Sequence, residues 1–365
     1  MENVVLHVIT TTNRGGAENQ LLLLAREQVK LGTKVLVIDL KGDSELIGEF
    51  VDSGVEVINS LLNKSFLGQI FELRKILVDL PPDTVIHAHL PQAELVCFFA
   101  KRDNPLVITR HFGGKFKPTS RMFISSLLGL IASYRASKVI AISESVKQVL
   151  IKNKEVCRNS DLEVIHYGFD RTSFRAQVAE IRSGLITPPI ALGTVSRLSP
   201  EKNVHLVIEA YAELRKKFHV SNLRIIGVGP LEDNLKNLSI KLGIENEFDY
   251  VGKKKEIAEF MNDLDVFILA SSFEGFGMVL VEAMAMGKRI VASRNSAIEE
   301  ILGGTNCGVL FETGNLSSLV AAFEEVIGLD YDLIAVAQKE RLNDYEIGST
   351  AVKTLAVYKA IKHSI

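Results

Sequence analysis

Two carboxylates, Glu274 and Glu282, stand eight positions apart in "SSFEGFGMVLVEAMAMG" (residues 271–287), a run that is otherwise almost entirely apolar. Glu274 falls in a glycine-containing loop after the strand-like "VFILAS", and the helix that follows is expected to start near Gly277. Backbone N–H groups at a helix start, together with the helix dipole, make an anion site, and glycines let a phosphate come close. A carboxylate beside a phosphate is poorly suited to hold it. It is well suited to accept hydrogen bonds from neutral hydroxyls, each worth roughly 1.5–3 kcal/mol when charge-assisted. Glu282 lies five or so residues into the helix, a rise of roughly 7–8 Å, among Val279, Leu280, Val281 and Met284. A lone carboxylate there needs partners, because an unpaired buried charge costs on the order of several kcal/mol. Ribose hydroxyls, a structural arginine or backbone amides would each serve, and either glutamate taken alone also reads as an acid that merely stabilises a helix.

Upstream, "GTVSRLSPEKN" (193–203) ends a strand and puts Arg197 and Lys202 on one loop, a pair able to clamp a diphosphate. A solvated loop with a helix cap at Ser199 fits the same residues. In "RGGAEN" (14–19), Gly15 and Gly16 would let a phosphate or sugar approach the backbone, or would simply form a tight turn. His111 closes the strand "LVITRH" just before "FGGK", where a cleft-facing residue is expected, although a partly buried structural histidine also fits. From Arg110 to Lys138 the chain carries Arg110, Lys115, Lys117, Arg121, Arg135 and Lys138 without one acid, around the apolar "MFISSLLGLIAS". Such a segment is either an ordinary helix or one able to lie on an anionic bilayer.

Other patterns lead away from chemistry. "GVGPLE" (227–232) has Glu232 where a dinucleotide fingerprint needs its third glycine. Asp263-Leu264-Asp265 resembles a metal-binding pair but precedes its strand, at the wrong end for a cleft site. His87 and His89 share one strand face with no further ligand in view. No metal, no cofactor and no Ser-His-Asp or Cys-His nucleophile is expected.

The elements that must position these residues alternate along the whole chain. "VVLHVI" (4–9), "KVLVID" (34–39), "VIHAH" (85–89), "LVITRH" (106–111) and "KVIAIS" (138–143) are short apolar runs separated by helical patterns, the first spanning residues 17–31. This is the signature of parallel strands covered on both faces, a doubly wound α/β domain. The rhythm restarts with "IALGTVS" (190–196), "LRIIGVG" (223–229), "VFILAS" (266–271) and "RIVAS" (289–293), so two such domains are expected. Thr187-Pro188-Pro189 suits a linker between them. Sheets of this kind bind ligands at the carboxyl ends of their strands, where the candidate loops fall.

Composition agrees. A chain of 365 residues is long enough for two cores, and 47% hydrophobic with 24% charged residues is ordinary for a globular protein. A net charge of -2 gives no general attraction to nucleic acid. Cys97, Cys157 and Cys307 are few and scattered, fitting structural thiols in a reducing compartment. The N-terminal apolar run is too short for a signal peptide, and "MFISSLLGLIAS" too short to span a bilayer, so a cytoplasmic protein is expected.

Taken together, "GGAE", "VIAISES", "VIHYGFD", "VSRLSPEKN", "IIGVGP", "DVFILASSFEGFGMVLVEAMAMGK" and "GVLFETGN" resemble the family 4 glycosyltransferases, retaining enzymes of GT-B architecture. Glu274 and Glu282, with seven residues between them, match that family's signature pair. The resemblance implies two Rossmann-like domains facing across a cleft: residues 1–178 for the acceptor, 179–345 for a nucleotide sugar, and a last helix (346–365) crossing back to the first domain. It implies that Glu274 meets the donor sugar and Glu282 the ribose. Arg197 and Lys202 would hold the diphosphate with the backbone of Gly277, Met278, Val279 and Leu280, beside Phe276. Gly15 and Gly16 would approach the phosphates, His111 the sugar near its reacting carbon, and Gly252 and Lys253 the base.

The implied activity is metal-independent transfer of a hexose from a nucleotide-diphosphate donor, UDP-sugar by expectation, to a hydroxyl. The expected acceptor is a lipid-linked saccharide in bacterial surface polysaccharide synthesis, met at the inner face of the membrane through Lys115, Lys117 and Arg121. A nucleotide-sugar 2-epimerase and a non-catalytic nucleotide-sugar-binding homologue are the alternatives. Two departures from the family pattern stand near the donor site: Gly287-Lys288-Arg289-Ile290 for the usual Gly-x-Pro-Val, and residues 296–300, "SAIEE", for a Gly-Gly-x-Pro-Glu turn.

Overall fold

Runs of β-branched residues flanked on both sides by amphipathic helices can bury both faces only as parallel strands inside a helical jacket. The computed structural model, which describes residues 4–113, 122–156, 161–182, 186–254 and 256–362, has this architecture twice. The first sheet contains β1 (Val4–Ile9), β2 (Lys34–Asp39), β3 (Glu56–Ile58), β4 (Val85–His89), β5 (Leu106–Arg110), β6 (Lys138–Ala141) and β7 (Leu162–Val164). Their order across the sheet is β3-β2-β1-β4-β5-β6-β7, all parallel. The second contains β8 (Leu192–Val195), β9 (Leu223–Ile226), β10 (Phe248–Gly252), β11 (Val266–Leu269), β12 (Arg289–Ser293) and β13 (Val309–Phe311), in the order β10-β9-β8-β11-β12-β13.

The chain divides into two compact units, Met1–Phe169 with Tyr345–Ile365, and Asp170–Asp344. The division thus falls earlier than the residue 178 expected from sequence. The helix Arg171–Arg175 packs on the helix Met278–Ala285 and so belongs to the second unit. Thr187-Pro188-Pro189, read as the linker, likewise lies inside the second unit, just ahead of β8. The final helix, Ile347–Lys362, lies in the first unit against the helix Gly16–Lys30.

Along the central strands successive residues enter opposite faces of the sheet. In the first unit Val4, Leu6 and Val8 join Leu36, Ile38 and Ile86 under the helices Phe66–Asp79 and Pro91–Ala100. Val5, Ile9, Val35 and Val37 face the other way, with Leu21, Val357 and Tyr358. In the second unit Leu192, Ile225, Ile268 and Val291 pack with Val207, Tyr211 and Phe323. Strand order reverses between β1 and β4 in one sheet and between β8 and β11 in the other. A crevice opens at such a switch point, outside the carboxyl ends of the strands. In the second unit the two loops that border it are residues 196–203 and 270–277, which carry Arg197, Lys202 and Glu274.

Candidate functional site

The two loops of the second unit are stitched together by their backbones. Ser272 donates through both its N–H (2.8 Å) and its hydroxyl (3.1 Å) to the carbonyl of Glu201, and Asn203 Nδ2 donates to the carbonyl of Ala270 (3.2 Å). Asn203 takes a left-handed conformation that ends the tight turn Pro200–Lys202. Gly227 and Gly229 hold the 196–198 loop from the other side, since a Cβ on either would strike the carbonyl of Ser196 (1.8 Å) or Leu198 (2.3 Å). The glycines of "GVGP" are therefore packing residues.

This stitching brings Lys202 and Glu274 together: Nζ meets Oε1 at 2.6 Å, with only 13% and 11% of the side chains accessible. Arg197 points differently. It is 72% exposed and pairs with Glu201 at 3.3 Å. Ser199, read as a possible helix cap, donates to the Glu201 carboxylate (2.7 Å) instead.

Gly277 introduces the helix Met278–Ala285 at φ +102°, a left-handed turn open to glycine and costly for other residues. A helix start leaves backbone N–H groups short of intrahelical acceptors, and here the Leu280 N–H bonds the carbonyl of Gly277 (2.9 Å). Phe276 and Leu280 bury their side chains. Glu282 is the fifth residue of the helix and is half-buried. No hydrogen-bond or ion-pair partner meets it among the described residues, and desolvation pushes its carboxyl up to about 7. The structural arginine that would have explained this acid is missing among the described residues.

In the first unit His111 belongs to a hydrogen-bonded chain. His111 Nε2 lies 3.0 Å from His89 Nδ1, His89 Nε2 lies 3.0 Å from His7 Nδ1, and His7 Nε2 lies 2.8 Å from Gln28 Oε1. The opposite end is Tyr167, whose hydroxyl sits 2.6 Å from His111 Nδ1. Gln28 Nε2 donates to the Tyr358 hydroxyl (3.3 Å), which fixes Gln28 Oε1 as the acceptor. Each imidazole must then carry its proton on Nε2 and accept on Nδ1. All three are neutral, and burial pushes His7 down to about 4, His111 to about 3 and His89 well below its usual range. His87 joins beside them, between the Tyr358 hydroxyl (2.6 Å) and Thr109 (2.7 Å).

The sequence reading that His87 and His89 lack neighbours is thus corrected: His7 pairs opposite His87 in the sheet, and the three offer nitrogens within 4.8 Å of one another. Those nitrogens are already engaged in hydrogen bonds. The ring of His111 is also bonded at both nitrogens, so its ring atoms are committed to the protein. Glu18, beside Gly15, is a half-buried acid whose carboxyl burial pushes up; like Tyr167 and His7, it was not singled out from sequence.

Comparison with known proteins shows the family and the fold. The family model described as "Glycosyltransferase Family 4" matches residues 14–173, and "Glycosyl transferases group 1" matches residues 179–342. The chain belongs to the group 1, family 4 glycosyltransferases. It is 23% identical over 357 residues to an uncharacterized glycosyltransferase of Haemophilus influenzae, covering 95% of this chain and 97% of that one. It is 27% identical over 193 residues to the amylovoran biosynthesis glycosyltransferase AmsK of Erwinia amylovora, covering 51% of this chain and 46% of that protein. The crystal structure of Anabaena Alr3699/HepE in complex with UDP and glucose superposes with a TM-score of 0.81 at 22% identity, over 98% of this chain and 100% of that one. The fold is GT-B, with two Rossmann-like parallel-sheet domains.

The remaining expectations sort themselves against this glycosyltransferase's structure. Gly15 is extended and Gly16 opens the helix; neither has a positive φ, and a Cβ on Gly16 would meet nothing within 4 Å. A Cβ on Gly15 would meet the Glu18 carboxylate at 2.5 Å, so that glycine makes room for Glu18. Gly252 ends β10 at the edge of the second sheet, and Lys253, just beyond it, is exposed.

Lys115, Lys117 and Arg121 lie outside the described residues, as does Cys157. Arg110, counted among the surface cations of that segment, is instead buried at the end of β5. It ion-pairs with Glu94 (2.8 Å) and Glu155 (2.7 Å) and donates to the carbonyl of Gly129. Asp265 accepts from the N–H of Ala191 (2.7 Å) and pairs with Arg182, a structural use of the acidic doublet.

The two departures from the family pattern have local explanations. Lys288 is buried and donates to the carbonyl of Asn262, and Arg289 donates to those of Val326 and Leu329. Residues 296–300 form the start of the helix Ser296–Leu302, capped by Asn295, whose Nδ2 also donates to Ser271 beside the site.

Proposed function

We propose that this glycosyltransferase transfers a hexose from a nucleoside-diphosphate donor, a UDP-sugar, to a hydroxyl with retention of anomeric configuration. The observation that carries the reading is Glu282. An acid with no partner of its own, one and a half turns from a phosphate-binding helix start, is suited to accept from both hydroxyls of a ribose. Lys202, Arg197 and the backbone of Gly277 to Leu280 would stabilise charge developing on the leaving diphosphate, the largest electrostatic contribution to such a step. Lys202 is held by Glu274 until the donor arrives and is then shared with phosphate, which frees Glu274 to accept sugar hydroxyls. With two protein cations and a helix dipole at the diphosphate, the transfer would proceed without a metal.

In this reading the first unit takes the acceptor. Its histidine chain keeps His111 neutral, so the imidazole contributes position and no proton. The relatives named in polysaccharide synthesis support a saccharide acceptor. A lipid-linked acceptor at a membrane surface is supported by Leu67, Phe71 and Val78, which expose more than 60% of their surface along one helix, next to exposed Phe99. Arg74, Lys75 and Lys101 flank them. Among the described residues no helix is long and apolar enough to cross a membrane.

The test is incubation with UDP-hexoses, with and without acceptor, in EDTA. Slow release of UDP from donor alone and a faster acceptor-dependent release support the reading. An epimerised nucleotide sugar without acceptor would show a 2-epimerase instead, and neither product would show a binding homologue.

A further inference from the structure

A second recess, of about 190 Å³, opens in the second unit between the helices Arg171–Arg175 and Tyr331–Leu342 and the chain following Met278–Ala285. Arg171 and Arg175, one helical turn apart, both line it and are both half-buried. Lys339 and Tyr331 line the opposite wall. Neither arginine makes a hydrogen bond or an ion pair among the described residues. The acids nearest in sequence are engaged in capping: Asp170 accepts from the N–H and hydroxyl of Ser173 (2.9 and 2.6 Å), and Asp330 from the N–H of Asp332 (2.9 Å).

Two like charges at i,i+4 repel, and folded proteins ordinarily balance them with a carboxylate. Among the described residues no carboxylate does so. Burial and the charge of Arg171 together pull the Arg175 guanidinium below its ordinary value. Phe174 between them is buried and anchors the short helix, which keeps both arginines at the edge of the recess. Planar guanidinium groups with several fixed N–H donors match phosphate oxygens, and Lys339 and the Tyr331 hydroxyl add donors from the far side.

We infer that this recess is a second anion site, distinct from the donor loops, which takes a phosphate monoester group through Arg171, Arg175, Lys339 and Tyr331. The group would belong to a free phosphorylated metabolite or to a lipid headgroup. The site abuts Gly287, just beyond the end of the helix that carries Glu282. Its occupant is therefore placed to stiffen that helix from the end away from the donor. The inference rests on the recess alone and stands whether or not the donor reading is right.

The experiment uses the full chain and inorganic phosphate, against sodium chloride of equal ionic strength, with melting temperature and calorimetric titration as readouts. Phosphate should raise the melting temperature of the wild type and of Lys202→Ala alike, and raise that of Arg171→Gln/Arg175→Gln not at all. Without phosphate the double variant should melt no lower than wild type, because it loses a repulsion and no bond; a lower value counts against a site built for a ligand. Sedimentation with anionic and with neutral vesicles forms the second arm. Vesicle binding that requires anionic lipid and both arginines assigns the group to a headgroup, and phosphate binding without it assigns a soluble ligand. The inference is overturned if both arms show nothing in the wild type, or if the double variant responds as the wild type does.

Discussion

Replacing Glu282 with glutamine should make the ligand-free protein more stable and the nucleotide complex weaker. An ordinary glutamate titrates near 4.5, and desolvation lifts this one to about 7. Over that interval the folded chain holds a proton that the unfolded chain has released, so stability falls as pH rises from about 4.5 to 7 and is level above. At pH 8 the charge costs about 3 kcal/mol, trimmed to about 2 because solvent still reaches the half-buried side chain. For a unit of this size, 2 kcal/mol is roughly 4–8 °C in melting temperature. By pH 5 the advantage of the variant should shrink below about 1 kcal/mol.

Binding should move the other way. Glutamine keeps one acceptor but loses the charge, a loss of about 1.5–3 kcal/mol, or roughly 10- to 150-fold in affinity for UDP. Scanning calorimetry at pH 5 and pH 8, with and without UDP, reads both effects. A variant less stable than wild type at pH 8 would mean that Glu282 has a structural partner. Unchanged UDP affinity would mean that it has no ribose to meet. Either result refutes the reasoning.

Lys202→Ala should abolish most donor turnover while leaving the fold intact, since the Ser272 and Asn203 contacts that join the loops remain; unchanged turnover removes Lys202 from the site. Arg110→Met strands Glu94 and Glu155 and should cost about 3–5 kcal/mol at pH 8 in denaturant titration. That loss should ease toward pH 6, because burial has already pushed Glu94 up to about 7. The first unit should weaken in mild acid. His7, His87, His89 and His111 stay neutral when folded but charge below about pH 6.5 when unfolded, so stability is lost as pH falls through that value. Glu94, which burial pushes up to about 7, runs the opposite way, which leaves a net of about one to three protons and a slope of about 1.4–4 kcal/mol per pH unit. A pH-independent stability between 6.5 and 5 would contradict the neutral histidine chain.

The strands legible in the sequence are the central ones. Continuous apolar runs marked β1, β2, β4, β5, β6, β8, β9, β11 and β12, because each is covered on both faces. The strands that escaped, β3, β7, β10 and β13, are the edges of the two sheets. Three of them are three residues long, and Glu56 and Asp249 face solvent, so no sustained apolar run announces them. Lys202 and Glu274 were legible as residue types, yet their pairing was not, since 72 positions separate them and only the adjacency of β8 and β11 brings them together. The histidine chain was hidden for the same reason: His7 and His89 sit on neighbouring strands and His111 just past the end of the next one. Arg110 misled in the other direction, because a charge count along the chain ignores the buried acids that strand order supplies.

The most direct measurement is a crystal structure of the protein with a UDP-sugar. The account predicts ribose hydroxyls within hydrogen-bond distance of the Glu282 carboxylate, the diphosphate against the Met278–Leu280 backbone and Lys202, and the sugar hydroxyls on Glu274. A nucleotide bound elsewhere, with Glu282 still unpartnered, would contradict it.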